Sequence, residues 1–248
     1  MSREIVKFSM GVCSAYIACR LKETCHEPEC LFSDTKAEDE DTYRFGREVV
    51  EKWGLNLIEC SDGRHLWEYF EVQHMIPARQ IPACSIAMKI RPGETFTNSI
   101  TEPGRVALGF DLEEEDRIEK SLKHWSHPTL ELWFPLVEWG VSKKQCFGFF
   151  NERGVQTPRM YKHFHHANCL PCKNFEFKDW IALKYHYPDK FQSAMEFEER
   201  TGLRWMQGGT ALRDVPEYDP QKRKRSRKLA MAEPAFNFEM GCDACAVD

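Results

Sequence analysis

The sequence predicts an α/β protein with a doubly wound, mostly parallel sheet, followed by a helical, cysteine-bearing C-terminal region. Short apolar runs at 5–8 (IVKF), 29–35 (ECLFSDT) and 55–60 (LNLIEC) alternate with helical patterns. That β-α-β rhythm joins parallel strands through right-handed crossovers. The first two runs end in polar turns, and open α/β sheets take their ligands at the carboxyl ends of their strands. From Cys169 onward the alternation gives way to helical patterns and paired cysteines.

The first unit is KFSMGVCSAYIACRL (7–21): a strand, a tight loop around Gly11, and a helix with Ala15, Ile17, Ala18 and Leu21 at helical spacing. EDEDTYRFGREVVEKWG reads as the second helix, with an acidic first turn, Tyr43, Val49, Val50 and Trp53 on one side, and Gly54 just past its end. Residues 64–75 read as helical. RQIPACSIAMKIRPGE (79–94) reads as a loop and a short helix that Pro92 stops. RVALGF (105–110) is a further buried strand, and DLEEEDRIEKSLKHW a solvated helix or loop. In 132–154 an apolar segment precedes Ser142, the N-cap of a helix ending at Gly154. Helical patterns at 177–187 and 189–201 are separated by Pro188 and closed by Gly202. These readings divide the chain into a nucleotide-binding α/β domain, 1–160, and a helical region, 161–248, with two Cys-x2-Cys pairs and a basic linker.

The 248 residues are 42% hydrophobic and 29% charged, which are globular values. No window approaches the ~20 apolar residues of a membrane helix, so a soluble, cytoplasmic protein without membrane contact is expected. A net charge of −5 leaves non-specific nucleic-acid affinity out of the overall balance. The basic run QKRKRSRK (221–228) could still contact nucleic-acid phosphates, although a solvated linker is the plainer reading.

Eleven cysteines without a secretory leader favour metal or thiol chemistry over a disulfide framework. Cys19, Cys60 and Cys146 sit in apolar-periodic stretches and read as core residues. Cys169/Cys172 and Cys242/Cys245 have the spacing that lets two thiolates meet one ion, and together they offer four soft ligands for zinc or an iron–sulfur cluster. A redox dithiol, or pairs that never meet, are the alternatives. His163, His165 and His166 match no common zinc spacing and read as a basic loop. Arg79, Lys89, Arg91, Lys143, Lys144 and Arg159 could surround a phosphate-bearing ligand.

The ordered set FSMGVCSAY, LFSDTKAEDEDTYRFGREVVEKWGLNL, CSIAMKIRP, VALGFDLEEEDRIE, WFPLVEWGVSKKQCFGFF and NCLPC resembles the phosphoadenosine-phosphosulfate (PAPS) reductase-like branch of the adenine nucleotide α-hydrolase superfamily, the PP-loop ATP pyrophosphatases. It looks closest to short phage-type members. The resemblance covers most of residues 5–201 and implies an ATP or other adenine-nucleotide site at Ser9, Gly11, Cys13, Ser14, Asp34, Thr35, Arg91, Gly109 and Lys143. It implies catalytic candidates at Cys84 and Lys89, beside Cys242 and Cys245.

Four positions depart from the family pattern. Met10 replaces a loop glycine and is expected to narrow the backbone's approach to phosphate. Cys13 stands for Asp or Thr, Lys36 for glycine, and Phe110 for an arginine whose charge Lys36 or Arg117 could restore. Three functions stay open. One is an ATP-dependent sulfur transferase acting on a nucleobase or nucleotide, with a cysteine desulfurase as sulfur partner. The second is a PAPS-type reductase with a C-terminal cysteine nucleophile and thioredoxin as its electron partner. The third is a non-catalytic nucleotide-binding or nucleic-acid-interaction module with structural zinc.

Overall fold

The computed structural model describes residues 3–206 and 208–217. Five parallel strands, β1 (Arg3–Lys7), β2 (Glu29–Ser33), β3 (Asn56–Cys60), β4 (Gly104–Ala107) and β5 (Leu130–Trp133), form one sheet in the order β3-β2-β1-β4-β5. The chain winds outward from β1 in one direction through β2 and β3, then returns to add β4 and β5 on the other side. The order therefore reverses between β1 and β4, the point at which such sheets open a ligand crevice.

Strand alternation gives the sheet two apolar faces. Val6, Cys30, Phe32 and Ala107 pack beneath α1 (Val12–Glu23), α2 (Glu40–Trp53) and α8 (Lys143–Glu152). Ile5, Leu31, Val106 and Leu130 form the smaller opposite core with Ile100. The predicted helix ends are present. Asp39 caps α2 by accepting from Asp41 N at 2.8 Å, and Gly54 closes it in the left-handed region at φ +59°. Ser142 opens α8 with a capping box to Gln145.

The segment around Pro92 differs from expectation. Pro92 does not stop the helix: α4 (Ala83–Ser85) runs through a π turn (Ile86–Ile90) into α5 (Arg91–Thr97). Arg91 N bonds to Ile86 O, one residue further back than in an α-helix. Proline lacks an N–H and its ring crowds the carbonyl four residues earlier. The wider π turn just before Pro92 offsets both, placing the proline in the first turn of α5.

The chain after 160 builds a second, aromatic core with α3 (Leu66–Val72). Trp180 of α9 (Phe177–His186), Phe197 of α10 (Pro188–Thr201) and Trp205 cluster with Phe70, Leu66 and Met88. The Glu198 carboxylate is buried there and accepts from Trp205 N at 3.2 Å and Leu212 N at 2.8 Å, which offsets its desolvation. The remaining α-helices are α6 (Glu115–His124) and α7 (Pro135–Glu138), with short 3-10 helices at Arg159–Lys162 and Leu212–Asp214. Among the described residues, no helix is long and apolar enough to cross a membrane.

Candidate functional site

The loop between β1 and α1 is built by its own small residues. Gly11 is the extended N-cap of α1. Ser14 Oγ donates to Gly11 O at 3.2 Å and accepts from Ser9 N at 3.1 Å, and the Ser9 and Ser14 hydroxyls lie 3.2 Å apart. Tyr161 reaches in from the second half of the chain and accepts from Val12 N at 3.2 Å. A helix start leaves the amides of Cys13 and Ser14 without an intrahelical acceptor, so the loop presents N–H groups and positive dipole to an anion.

Those residues form one wall of a cleft of about 700 Å³, counting its open mouth, which lies between the β1 and β4 loops. Lys7, Ser9, Gly11, Cys13 and Ser14 face Gly109, Phe110, Arg117, Lys143 and His166. Gly109 lies close against the loop: a Cβ there would sit 3.0 Å from Ser14 N and 3.4 Å from Cys13 Cβ, a tight contact. Lys143 opens α8, its N–H bonded to buried Asp111 at 3.3 Å and its Nζ to His165 O at 2.7 Å.

The departures from the family pattern resolve differently from one another. The expectation for Met10 is overturned. Its backbone adopts the left-handed conformation (φ +57°) that a glycine would take, but its side chain is fully buried against Gly46 of α2 and does not line the cleft. A Cβ on Gly46 would lie 2.4 Å from Met10 Cγ. Lys36 is also left-handed (φ +58°), and its ammonium bonds Gly63 O, away from the cleft. Phe110 carries the Arg117 guanidinium 4.4 Å above its ring, and Arg117 is further oriented by Glu114. A cation from α6 thereby stands on the cleft wall although the arginine after Gly109 is missing.

A smaller recess adjoins the cleft through Lys7 and Ser9. It is walled by Phe8, Leu31, Phe32, Ser33, Glu38 and Lys89. Lys89 Nζ lies 3.7 Å from the buried Glu38 carboxylate. The same carboxylate accepts from Cys169 Sγ at 3.5 Å, and Thr35 Oγ1 contacts that sulfur at 3.2 Å. Burial, followed by the negative charge of Glu38, pushes the Cys169 thiol well above its usual range and keeps it protonated.

Other predicted residues are placed apart. The Asp34 carboxylate accepts from Tyr43 Oη at 2.6 Å and Lys36 N at 2.8 Å. Arg91 lines a third recess at the carboxyl end of β3, with Arg64 and Tyr69. Cys84 packs against the aromatic core. Arg159 bonds Asp39 at 2.8 Å and Arg79 faces Glu176 at 3.5 Å, so neither joins the cleft. Cys60 is half-buried at the end of β3 beside Ser33 Oγ (3.2 Å), whereas Cys19 and Cys146 are fully buried.

Of the two cysteine pairs, Cys169 and Cys172 lie among the described residues. Cys169 and Cys172 are both buried, Cys169 bonded as above and Cys172 accepting from Asn174 N at 3.5 Å. Among the described residues, no three His, Cys, Asp or Glu side chains converge as metal ligands. Cys242, Cys245 and the basic run 221–228 lie outside the described residues. The visible pair does not by itself fit zinc or a cluster.

Lys7, Tyr161 and Glu38 belong to the site but were not picked out from the sequence. Lys7 had a signal, a lysine ending an otherwise apolar strand. Tyr161 and Glu38 had none.

No protein-family profile matches the chain. An uncharacterised protein of Methanocaldococcus jannaschii is 22% identical over 198 residues, 79% of this chain and 47% of its own length. The chain thus spans about half the length of that curated relative. Solved structures similar to it include a PAPS reductase from Candida auris in a phosphate complex (TM-score 0.49, 16% identity, 64% of this chain and 76% of that one). An NMN synthetase from Francisella tularensis has a TM-score of 0.44 at 12% identity, over 96% of this chain and 90% of its own. An ammonia-dependent NAD synthetase from Campylobacter jejuni, bound to nitrate, has a TM-score of 0.43 at 12% identity with the same coverage. The predicted fold class, an α/β protein with a parallel sheet flanked by helices, is the one observed.

Proposed function

We propose that this protein is an adenine-nucleotide enzyme that uses ATP to activate an oxygen on a nucleobase or nucleotide for replacement by sulfur. The observation that carries the reading is the convergence of the Ser9–Ser14 loop with Lys7, Arg117 and Lys143 on one cleft at the sheet's reversal point. Three cations and a helix start neutralise a polyphosphate.

In the first step an acceptor carbonyl oxygen attacks the α-phosphorus of ATP. The bond to the β-phosphate bridging oxygen breaks, and pyrophosphate leaves onto the loop amides, Lys7 and Lys143. In the second a persulfide, supplied by a cysteine desulfurase, attacks the activated carbon through its terminal sulfur, and AMP leaves with the former carbonyl oxygen. The donor's S–S bond is then cleaved by a second thiol, which releases the thiolated product and leaves a disulfide. A zinc ion or iron–sulfur cluster would need ligands beyond Cys169 and Cys172, and no step depends on one.

Titration with ATP and with pyrophosphate tests the site, and release of AMP from labelled ATP in the presence of candidate acceptors tests the reaction. Lys143→Ala should weaken pyrophosphate binding about tenfold, the range of one charge-assisted contact. Absence of nucleotide or pyrophosphate binding overturns the reading. Sulfite release from PAPS that is lost in Cys242→Ser or Cys245→Ser would replace it with the reductase.

A further inference from the structure

We propose that the open recess at the carboxyl end of β3 is a second ligand site, which seats a nucleotide by its phosphate and base as the acceptor of the reaction. The recess measures about 1050 Å³, counting its open mouth, and shares no lining residue with the anion cleft. Three elements converge on it. The turn after β3 brings Asp62 and Arg64, α3 brings Tyr69 and Gln73, and the π turn with the start of α5 brings Ile86 and Arg91. π turns inside helices recur at functional sites, and this one lines both neighbouring recesses, Ile86 here and Lys89 in the smaller recess that joins the cleft.

The two guanidiniums are prepared for different tasks. Arg64 is fixed from two sides: Asp62 accepts from its Nε and, at 2.9 Å, from its Nη2, and the guanidinium lies 5.4 Å over the Tyr69 ring. Tyr69 is itself buried and donates to Ala83 O at 3.3 Å. A planar cation held this way is a stacking platform for a base, and Asp62 already balances its charge. Arg91 is exposed and, among the described residues, has no carboxylate partner. Its fork is therefore available to a phosphate, which a guanidinium can meet with two parallel hydrogen bonds. Arg64 and Arg91 stand against Asp62, the one carboxylate among the described lining residues, so the recess keeps one net positive charge for an anion. The exposed Gln73 amide can bond a base edge, and Ile86 offers an apolar flank. Recess and cleft share the carboxyl edge of the sheet, at β3 and β1, two strand spacings or about 10 Å apart.

The acceptor role rests on the proposed ATP chemistry, whereas the binding of a nucleotide does not. With the cleft filled by saturating pyrophosphate, the full chain is titrated with each of the four 5′-nucleoside monophosphates and with a mixed-sequence single-stranded RNA nonamer. At least one probe should bind. Arg91→Ala should weaken it about tenfold, the range of one charge-assisted contact, and Arg91→Lys should keep part of the affinity. Arg64→Ala, which removes the platform and leaves Asp62 unbalanced, should weaken it by a similar factor. All three variants should bind pyrophosphate as the parent does, and Lys143→Ala should do the reverse, losing pyrophosphate affinity but not the probe. Tighter binding of the RNA than of every monophosphate makes the ligand a nucleotide within a chain; equal or weaker binding makes it a free nucleotide. Failure of every probe to bind, or binding indifferent to Arg91→Ala, overturns the proposal. If pyrophosphate does not bind the parent, the ATP reading fails, while the Arg91 and Arg64 variants still decide whether the recess holds a nucleotide.

Discussion

The loops after β1 and β2 make the same backbone move by different means. Each holds a non-glycine residue in the left-handed region, Met10 at φ +57° and Lys36 at φ +58°, where an L side chain costs about 1–2 kcal/mol. Met10 is supported by the core: its side chain is fully buried and occupies the space that Gly46 leaves open on α2. Lys36 is supported at the surface, by Asp34 Oδ1 on its N–H and Gly63 O on its ammonium. A glycine-requiring conformation can thus be kept without glycine if something else over-determines it. The buried solution ties the β1–α1 loop to the interior face of α2, whereas the supports of Lys36 lie at the surface, in its own loop and at Gly63.

The largest expected effect is at Gly46. Gly46→Ala brings a methyl into Met10 and should cost about 3 kcal/mol in urea unfolding, the upper range for overpacking. Adding Met10→Ala should recover part of that loss, and strict additivity would break the claimed link. Met10→Ala alone should cost about 2 kcal/mol through the cavity it leaves and leave pyrophosphate affinity unchanged; a large loss of affinity would return Met10 to the cleft. Gly109→Ala crowds Ser14 N and should lower pyrophosphate affinity about tenfold, or 1.4 kcal/mol, with little change in stability.

The β2 loop has a weaker, pH-dependent anchor. His65 Nδ1 caps α3 by accepting from Trp67 N at 3.1 Å, and Leu66 N bonds Thr35 O at 3.1 Å. Burial, before any charge effect, lowers the His65 pKa. The cap's contribution of about 1 kcal/mol is therefore complete above the unfolded value of about 6.5. It is lost as pH falls through the lower folded value. Unfolding measured across that range should show the decline, and His65→Asn, which caps without titrating, should flatten it. Lys36→Gly should have the smallest effect, within about 0.5 kcal/mol, because relief of strain is offset by a more flexible unfolded chain.

Much of the framework was legible in local pattern. The apolar runs at 5–8, 29–35 and 55–60 are three of the five strands, and Gly54, Ser142 and Gly202 end or begin helices as read. Ser9, Gly11, Cys13, Ser14, Gly109 and Lys143 converge on one cleft. Pro92 does not end its helix, because the preceding π turn absorbs the cost of its missing N–H, which is not visible in the local sequence. Arg91 and Asp34 were assigned by their position in a motif, and in the fold they line or bond to other groups.

The sequence by itself determined the alternation of strands and helices, the loop at Ser9–Ser14, and the charges available to it. Hydrophobic periodicity, capping residues and glycine placement act over a few residues, so a linear reading captures them. Only the tertiary structure decided that Met10 turns into the core against α2 and that Tyr161 holds the β1–α1 loop. Each depends on a second segment of the chain, α2 for Met10 and the residues after α8 for the Val12 amide. A side chain's direction there follows from which neighbour leaves room for it, and that neighbour is remote in the chain.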